Sequence, residues 1–277
     1  MTGVNTVYIV TPGAETRADL VAVGIDAAKT AGVAHIVIVS VPAVVAAGEL
    51  MFKAQFRAIE TKVRMHMGHG STPFPARHFT AAAAAAAHSV TDKPGGHAAP
   101  NAYFHVFPSV QAVASGLKYT FLRLPMFMDN QWASQGTIKT GKLYGPADGS
   151  KPVALVSVSD VGEAAAAVLA APADHAFKKY TLAAEPITFN GIAAAFATAT
   201  GQEVEYIQVP YAAALQSMVG LGFPEWMAKG VCELLQLVDS GDAAATPSSR
   251  ELAALLGRAP TSFAAWVGPV AGAFKAE

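Results

Sequence analysis

The stretch His35-Ile36-Val37-Ile38-Val39-Ser40 decides the fold. Four apolar β-branched residues in succession leave neither face of a strand fit for water. A strand buried on both faces belongs in a parallel sheet covered by helices on either side. Upstream, Val7-Tyr8-Ile9-Val10 is a second run of this kind, closed by the turn-forming Thr11-Pro12-Gly13. Between them, Leu20, Val21, Gly24, Ile25 and Ala28 recur at helical spacing from Arg17 to Thr30, and Gly32 stands where a left-handed residue ends a helix. Strand, helix and strand at this spacing make a βαβ unit.

Downstream, Glu49 to Arg64 carries Met51, Phe52, Phe56, Ile59 and Val63 along one helical stripe. After a tract of different composition, Tyr119-Thr120-Phe121-Leu122-Arg123-Leu124 reads as a third parallel strand. Asp160-Val161-Gly162-Glu163 reads as a capped helix start, with the helix running to Pro172, and Tyr180-Thr181-Leu182 as a further strand. Then come a helix from Thr188 to Thr200 closed by Gly201, an alternating strand Val204 to Val209, and a mostly helical C-terminal part. There Ser248-Ser249-Arg250-Glu251 has the spacing of a second capping box.

Of the 277 residues, 52% are hydrophobic and 14% charged, which is the composition of a soluble globular protein with ample material for a core. The formal net charge of -1 provides no basic field to hold a nucleic-acid backbone or an anionic membrane. The single cysteine, Cys232, sits in an apolar helical pattern and is read as a buried structural thiol. No apolar run reaches spanning length and no basic-then-apolar leader opens the chain, so a cytoplasmic location is expected.

The interrupting tract, residues 65–113, holds six of the eight histidines: His66, His69, His78, His88, His97 and His105. It also has seven consecutive alanines from Ala81 to Ala87. Imidazoles can bind zinc, copper or nickel, but no His-x-x-x-His spacing and no cysteine accompanies them, so no metal site is expected. The scattered Gly, Pro and Ser fit a flexible low-complexity insertion. Its one core-like run, Tyr103-Phe104-His105-Val106-Phe107, is a candidate to cover an open sheet edge.

Val7 to Pro12, Ala27-Ala28-Lys29 with Gly32-Val33, and Ile36 to Ser40 together resemble the fourth and fifth strands of the NmrA-like family of atypical short-chain dehydrogenase/reductases. Tyr119 to Pro125 with Phe127 and Asn130 is similar to that family's strand-six motif, and Asp160 opens its following helix. The likeness covers nearly everything outside 65–113, and its flavour is quinone-reductase-like or prestalk-differentiation type. The resemblance implies an α/β fold with an incomplete Rossmann-like parallel sheet lacking its first strands, and a smaller, mostly helical C-terminal subdomain capping a substrate cleft. Residues 1–160 are then a partial NAD(P)-binding domain, and 161–277 complete the sheet and supply the substrate side. An unsatisfied strand edge in such a sheet invites a protein partner or a homo-oligomer.

Two departures from the family pattern bear on function. The chain has no G-x-x-G-x-x-G after a strand, the turn whose amides hold a dinucleotide pyrophosphate, so NADP or NAD is expected from the resemblance with its binding compromised. The Tyr-x-x-x-Lys pair of relatives is also missing. Counting from Glu60 puts Phe52 and Phe56 in its places, whereas counting from Ser40 lands nearer Lys53 and Arg57. In neither register does a phenol face an ammonium one turn away, so no catalytic residue is assigned.

By the resemblance, candidate cofactor-binding residues are Thr11, Pro12, Ser40, Lys53, Pro125, Met126 and Phe127, with Asn130 and Trp132 facing a substrate. Each has a plainer reading: Thr11-Pro12 as a strand-ending turn, Lys53 as a solvated helix lysine, Pro125 to Phe127 as core, and Asn130 as a local cap. In Gly222 to Met227, the aromatic pair forms either a substrate lid or packing between C-terminal helices. The function that follows is an NAD(P)H-dependent oxidoreductase, quinone-reductase-like, or a redox sensor. The alternative is a noncatalytic regulatory or protein-interaction protein.

Overall fold

In the computed structural model residues 3–67, 104–108 and 117–276 are described, with backbone alone at 65–67 and 104–108. The βαβ unit forms as β1 (Val4–Ile9), α1 (Arg17–Thr30) and β2 (His35–Ser40), with the strands parallel from Thr6 beside His35 to Ile9 beside Ile38. Gly32 takes φ 72°, the left-handed conformation that lets the chain leave α1 and enter β2. After α2 (Met51–Met67), β3 (Phe104–Pro108) lies antiparallel along the outer edge of β1, so its backbone covers that edge as the core-like run suggested. β4 (Lys118–Arg123) pairs parallel with the whole of β2, and β9 (Lys179–Thr181) pairs parallel with β4. The order across this five-stranded sheet is β3-β1-β2-β4-β9. The histidine-rich tract otherwise lies outside the described residues.

Alternation along β2 sends successive side chains to opposite layers. Ile36 and Ile38 pack with Val21 and Ile25 of α1 and with Ile59 and Val63 of α2. Val37 packs with Leu122 and with Val161, Ala164 and Val168 of α4 (Val158–Ala170). Helices on both faces explain why a polar residue has no place inside this strand.

Between β4 and α4 lie β5 (Met126–Phe127), α3 (Gln135–Lys139), β6 (Lys142–Gly145), β7 (Pro152–Val153) and β8 (Leu155–Val156). The C-terminal part adds β10 (Ile187–Thr188), α5 (Phe189–Thr200), β11 (Glu205–Gln208), α6 (Tyr211–Gly220), α7 (Glu225–Ser240), α8 (Arg250–Leu256) and α9 (Phe263–Val270). These build a separate core of Ile138, Leu143, Ile192, Phe196, Val204, Phe263 and Phe274. The alternating strand near 204–209 does form, shortened to β11, but it pairs with β6 in a ribbon of two rather than joining the main sheet. Among the described residues no helix is long and apolar enough to cross a membrane.

Helix starts show where side-chain chemistry overrides simple spacing. α5 is capped as expected, since the Thr188 hydroxyl accepts from the Gly191 amide at 2.9 Å and Gly201 closes it at φ 73°. The cap of α4, however, is Ser157, whose Oγ accepts from the Asp160 amide at 3.1 Å. Asp160 lies inside the first turn and turns its carboxylate to Thr261 and Arg258. At α8 the expected capping box does not close. Glu251 accepts instead from the backbone N–H of Thr181 on β9, fastening the helix to the sheet edge. A carboxylate offered an unpaired strand amide satisfies a donor that would otherwise stay open.

Candidate functional site

At the carboxyl ends of β2 and β4 the chain leaves the sheet twice. After Ser40 it enters a 3-10 turn led by Pro42; after Arg123 it runs on through Leu124-Pro125-Met126-Phe127. A crevice lies beside these two exits, on the carboxyl side of the strands where open parallel sheets bind ligands. α2 closes one side with Phe52 and Phe56, and α7 closes the other with Met227, Val231, Leu234 and Val238, one stripe at helical spacing. The resulting cavity, open to solvent on one side, is about 320 Å³. Its walls are overwhelmingly apolar; among the described residues its polar side chains are Arg17, Ser40 and Asn130.

Ser40 is already engaged. The β2–β4 register sets it beside Arg123, and α2 brings Glu60 over the pair. Ser40 Oγ donates to Glu60 Oε1 at 2.8 Å, while Arg123 donates through Nε to Oε1 and through Nη2 to Oε2, both at 3.0 Å. Glu60 is only 3% exposed. Burial alone would raise its pKa, but the hydrogen bonds and charge of Arg123, with the Ser40 hydroxyl, outweigh it and hold the carboxyl below its ordinary value. This buried knot sets the floor of the cavity rather than presenting a nucleophile to it.

Arg17 opens α1 and lays its guanidinium over the Phe56 ring, 4.6 Å from the centroid, with Phe52 at 5.9 Å. Its Nε is buried with no acceptor. Burial pulls its pKa below the ordinary guanidinium value.

Five of the nine residues suggested by the sequence line this cavity: Ser40, Pro125, Met126, Phe127 and Asn130. The other four stand elsewhere. Thr11 and Pro12 form the half-buried exit of β1, beside Gly13, where an added Cβ would lie 2.5 Å from the Met227 methyl, so this turn packs directly against α7. Lys53 is not solvated: it is 3% exposed and its Nζ donates to the Gly48 carbonyl at 2.7 Å and to Glu49 at 3.4 Å. Trp132 is 42% exposed and packs on Trp266 and Phe274 of the C-terminal core. Of the two registers for the missing Tyr-x-x-x-Lys pair, it is Phe52 and Phe56 that face the cavity. Trp226 meets Phe52 edge-on at 6.3 Å, which is packing behind the wall.

Sequence reasoning missed Arg17, hidden as the first residue of an ordinary helix, and the α7 stripe. The spacing of Met227, Val231, Leu234 and Val238 was a readable signal for a buried face, but nothing local said which layer it would meet.

The profile described as the NmrA-like family matches residues 109–266, more than half of the chain. The NAD(P)H azoreductase of Xenophilus azovorans is 31% identical over 130 residues, 46% of this chain and 44% of that protein, so the match spans less than half of that relative's length. Among solved structures, the NADPH-dependent quinone oxidoreductase QOR2 of Escherichia coli, complexed with NADPH, aligns over 97% of this chain and 77% of its own at 22% identity and TM-score 0.70. The Citrobacter sp. triphenylmethane reductase complexed with NADP(H) aligns over 98% and 78% at 20% identity and TM-score 0.67. NmrA, a negative transcriptional regulator in complex with NAD, aligns over 97% and 75% at 14% identity and TM-score 0.59. At such identities the structural likeness establishes a shared fold.

Proposed function

This chain belongs to the NmrA-like family, and on that premise we propose that it is a cytoplasmic NAD(P)H-dependent oxidoreductase of the quinone- and azo-reducing kind, whose reacting rings meet in the cavity beyond β2 and β4. One observation carries the reading: an apolar, aromatic-walled space of about 320 Å³ at the crevice of a parallel sheet. NAD(P)H supplies a hydride when bound. Phe52, Phe56 and Phe127 offer flat surfaces for planar rings, and Pro125 to Phe127 border the end where a nicotinamide would lie. With Phe52 and Phe56 on the wall, this reading uses acceptors whose reduction does not depend on a tyrosine proton relay, as quinones and azo compounds allow.

Cofactor affinity is expected to be weak when this chain is tested alone. The walls fit a nicotinamide ring, but no glycine-rich turn follows a described strand to hold a pyrophosphate on backbone amides. Fluorescence titration with NADPH should then saturate at a Kd well above the low micromolar range, and NADPH oxidation should require an added quinone or azo acceptor. Val231→Phe, which places a ring in the cavity from α7, is expected to lower kcat/KM for the acceptor at least tenfold while the circular dichroism spectrum is kept. Full turnover by that variant would remove the cavity from the reaction.

A second reading is a redox sensor or regulatory protein that binds a partner. It rests on the apolar end of α6 and the turn into α7, where Val219, Leu221 and Phe223 are exposed. A stable chain with no NADPH response would favour it.

A further inference from the structure

Among the described residues, those lining the cavity include a cation and no counterion. Arg17 is half-buried against Phe56 and Phe52, its Nε lacks any acceptor, and among the described residues no carboxylate pairs with it. Three other cations in the protein are answered: Arg123 by Glu60, Lys53 by the Gly48 carbonyl and Glu49, Arg258 by Asp160 and Glu163. The remaining polar groups of the wall cannot serve. Ser40 spends its hydroxyl on Glu60, and Asn130 carries no charge. A guanidinium presents five donors in a rigid fork and favours planar, two-point recognition of oxyanions. Ring contact alone leaves the buried Nε–H without an acceptor, which is unfavourable.

We propose that Arg17 determines acceptor specificity, receiving a carboxylate or sulfonate borne on an aromatic acceptor whose ring lies along Phe52, Phe56 and Phe127. This rests on the cavity being the acceptor site. Geometry supports the combination: the cation sits at the edge of an aromatic-lined space, so one ligand can stack its ring on the wall and reach the fork with its anionic end. A phosphate oxygen of a bound dinucleotide has the same chemistry, and the test separates the two.

The probes are 4-(phenylazo)benzoate and its neutral carboxamide, titrated calorimetrically into the cofactor-free chain. The wild type should bind the carboxylate at least tenfold more tightly than the carboxamide. Arg17→Met should bind both equally, and Arg17→Lys should keep part of the preference. Equal affinities in the wild type overturn the assignment without any variant, so a folding defect cannot rescue it. A preference surviving in Arg17→Met overturns it too. If Arg17→Met weakens NADPH binding tenfold and the two dyes are not distinguished by the wild type, the oxyanion belongs to the cofactor and the acceptor assignment fails. Binding of neither dye removes the acceptor site itself, an outcome distinct from equal binding of both.

Discussion

Replacing Glu60 by leucine is expected to destabilise the protein by about 3–5 kcal/mol, because it strands the Arg123 guanidinium in the interior with no counterion. The loss should appear as a fall in Tm of about 5–10 °C and a lower urea midpoint. Three hydrogen bonds converge on this carboxylate, two from Arg123 and one from Ser40, and its residue is 3% exposed, so solvent cannot replace them. Replacing Glu60 and Arg123 together with leucines should recover most of the loss, since the desolvation of both charges disappears along with their attraction. A double variant as unstable as the sum of the two single ones would show that the knot has no such coupling. The pH dependence has a definite sign. Glu60 has a folded pKa below its ordinary 4.5, so its contribution is complete above that value and is lost as pH falls through the folded pKa. Urea unfolding carried from pH 7 to well below pH 4.5 should therefore show, below that value, an acid decline in the wild type that is shallower in the leucine variant.

The same knot illustrates what could be read from residues in order. His35 to Ser40 announced a strand buried on both faces, and the layers confirm it, because hydrophobic alternation is a local signal. That Ser40 would be consumed by Glu60 was not legible. The partnership depends on a parallel register between β2 and β4, which are separated in sequence by α2 and the long tract after it. Lys53 failed for a similar reason: a lysine on an amphipathic helix looks solvated until the chain before α2 folds back and offers the Gly48 carbonyl. Helix caps were half legible. Thr188 and Gly201 act within one turn of themselves, whereas Glu251 was drawn away by a strand amide seventy positions distant in sequence. The cavity was glimpsed from one side only, through Ser40, Pro125, Met126, Phe127 and Asn130; the opposing α7 face and Arg17 enter through tertiary packing.

Asp160→Ala should cost about 3 kcal/mol, and the reason lies in which donors it leaves behind. Its carboxylate is fully buried and accepts from the Thr261 backbone N–H at 2.7 Å, from Thr261 Oγ1 at 2.9 Å and from Arg258 Nη2 at 2.8 Å. These bonds pin the segment between α8 and α9 onto the start of α4. Arg258 is largely in water and has Glu163 as a second partner, so its share is screened, and Arg258→Ala should leave the urea midpoint nearly unchanged. The Thr261 amide has no such recourse: it becomes a donor without an acceptor next to the core. Removing the cap alone, Ser157→Ala, should cost only about 1 kcal/mol, because the Asp160 carboxylate and its three bonds remain. Amide hydrogen exchange at Thr261 separates these effects, since Asp160→Ala should accelerate it strongly while Arg258→Ala and Ser157→Ala leave it protected. Equal losses of stability from Asp160→Ala and Arg258→Ala would mean that the exposed ion pair, not the buried amide bond, fastens the C-terminal part to the sheet.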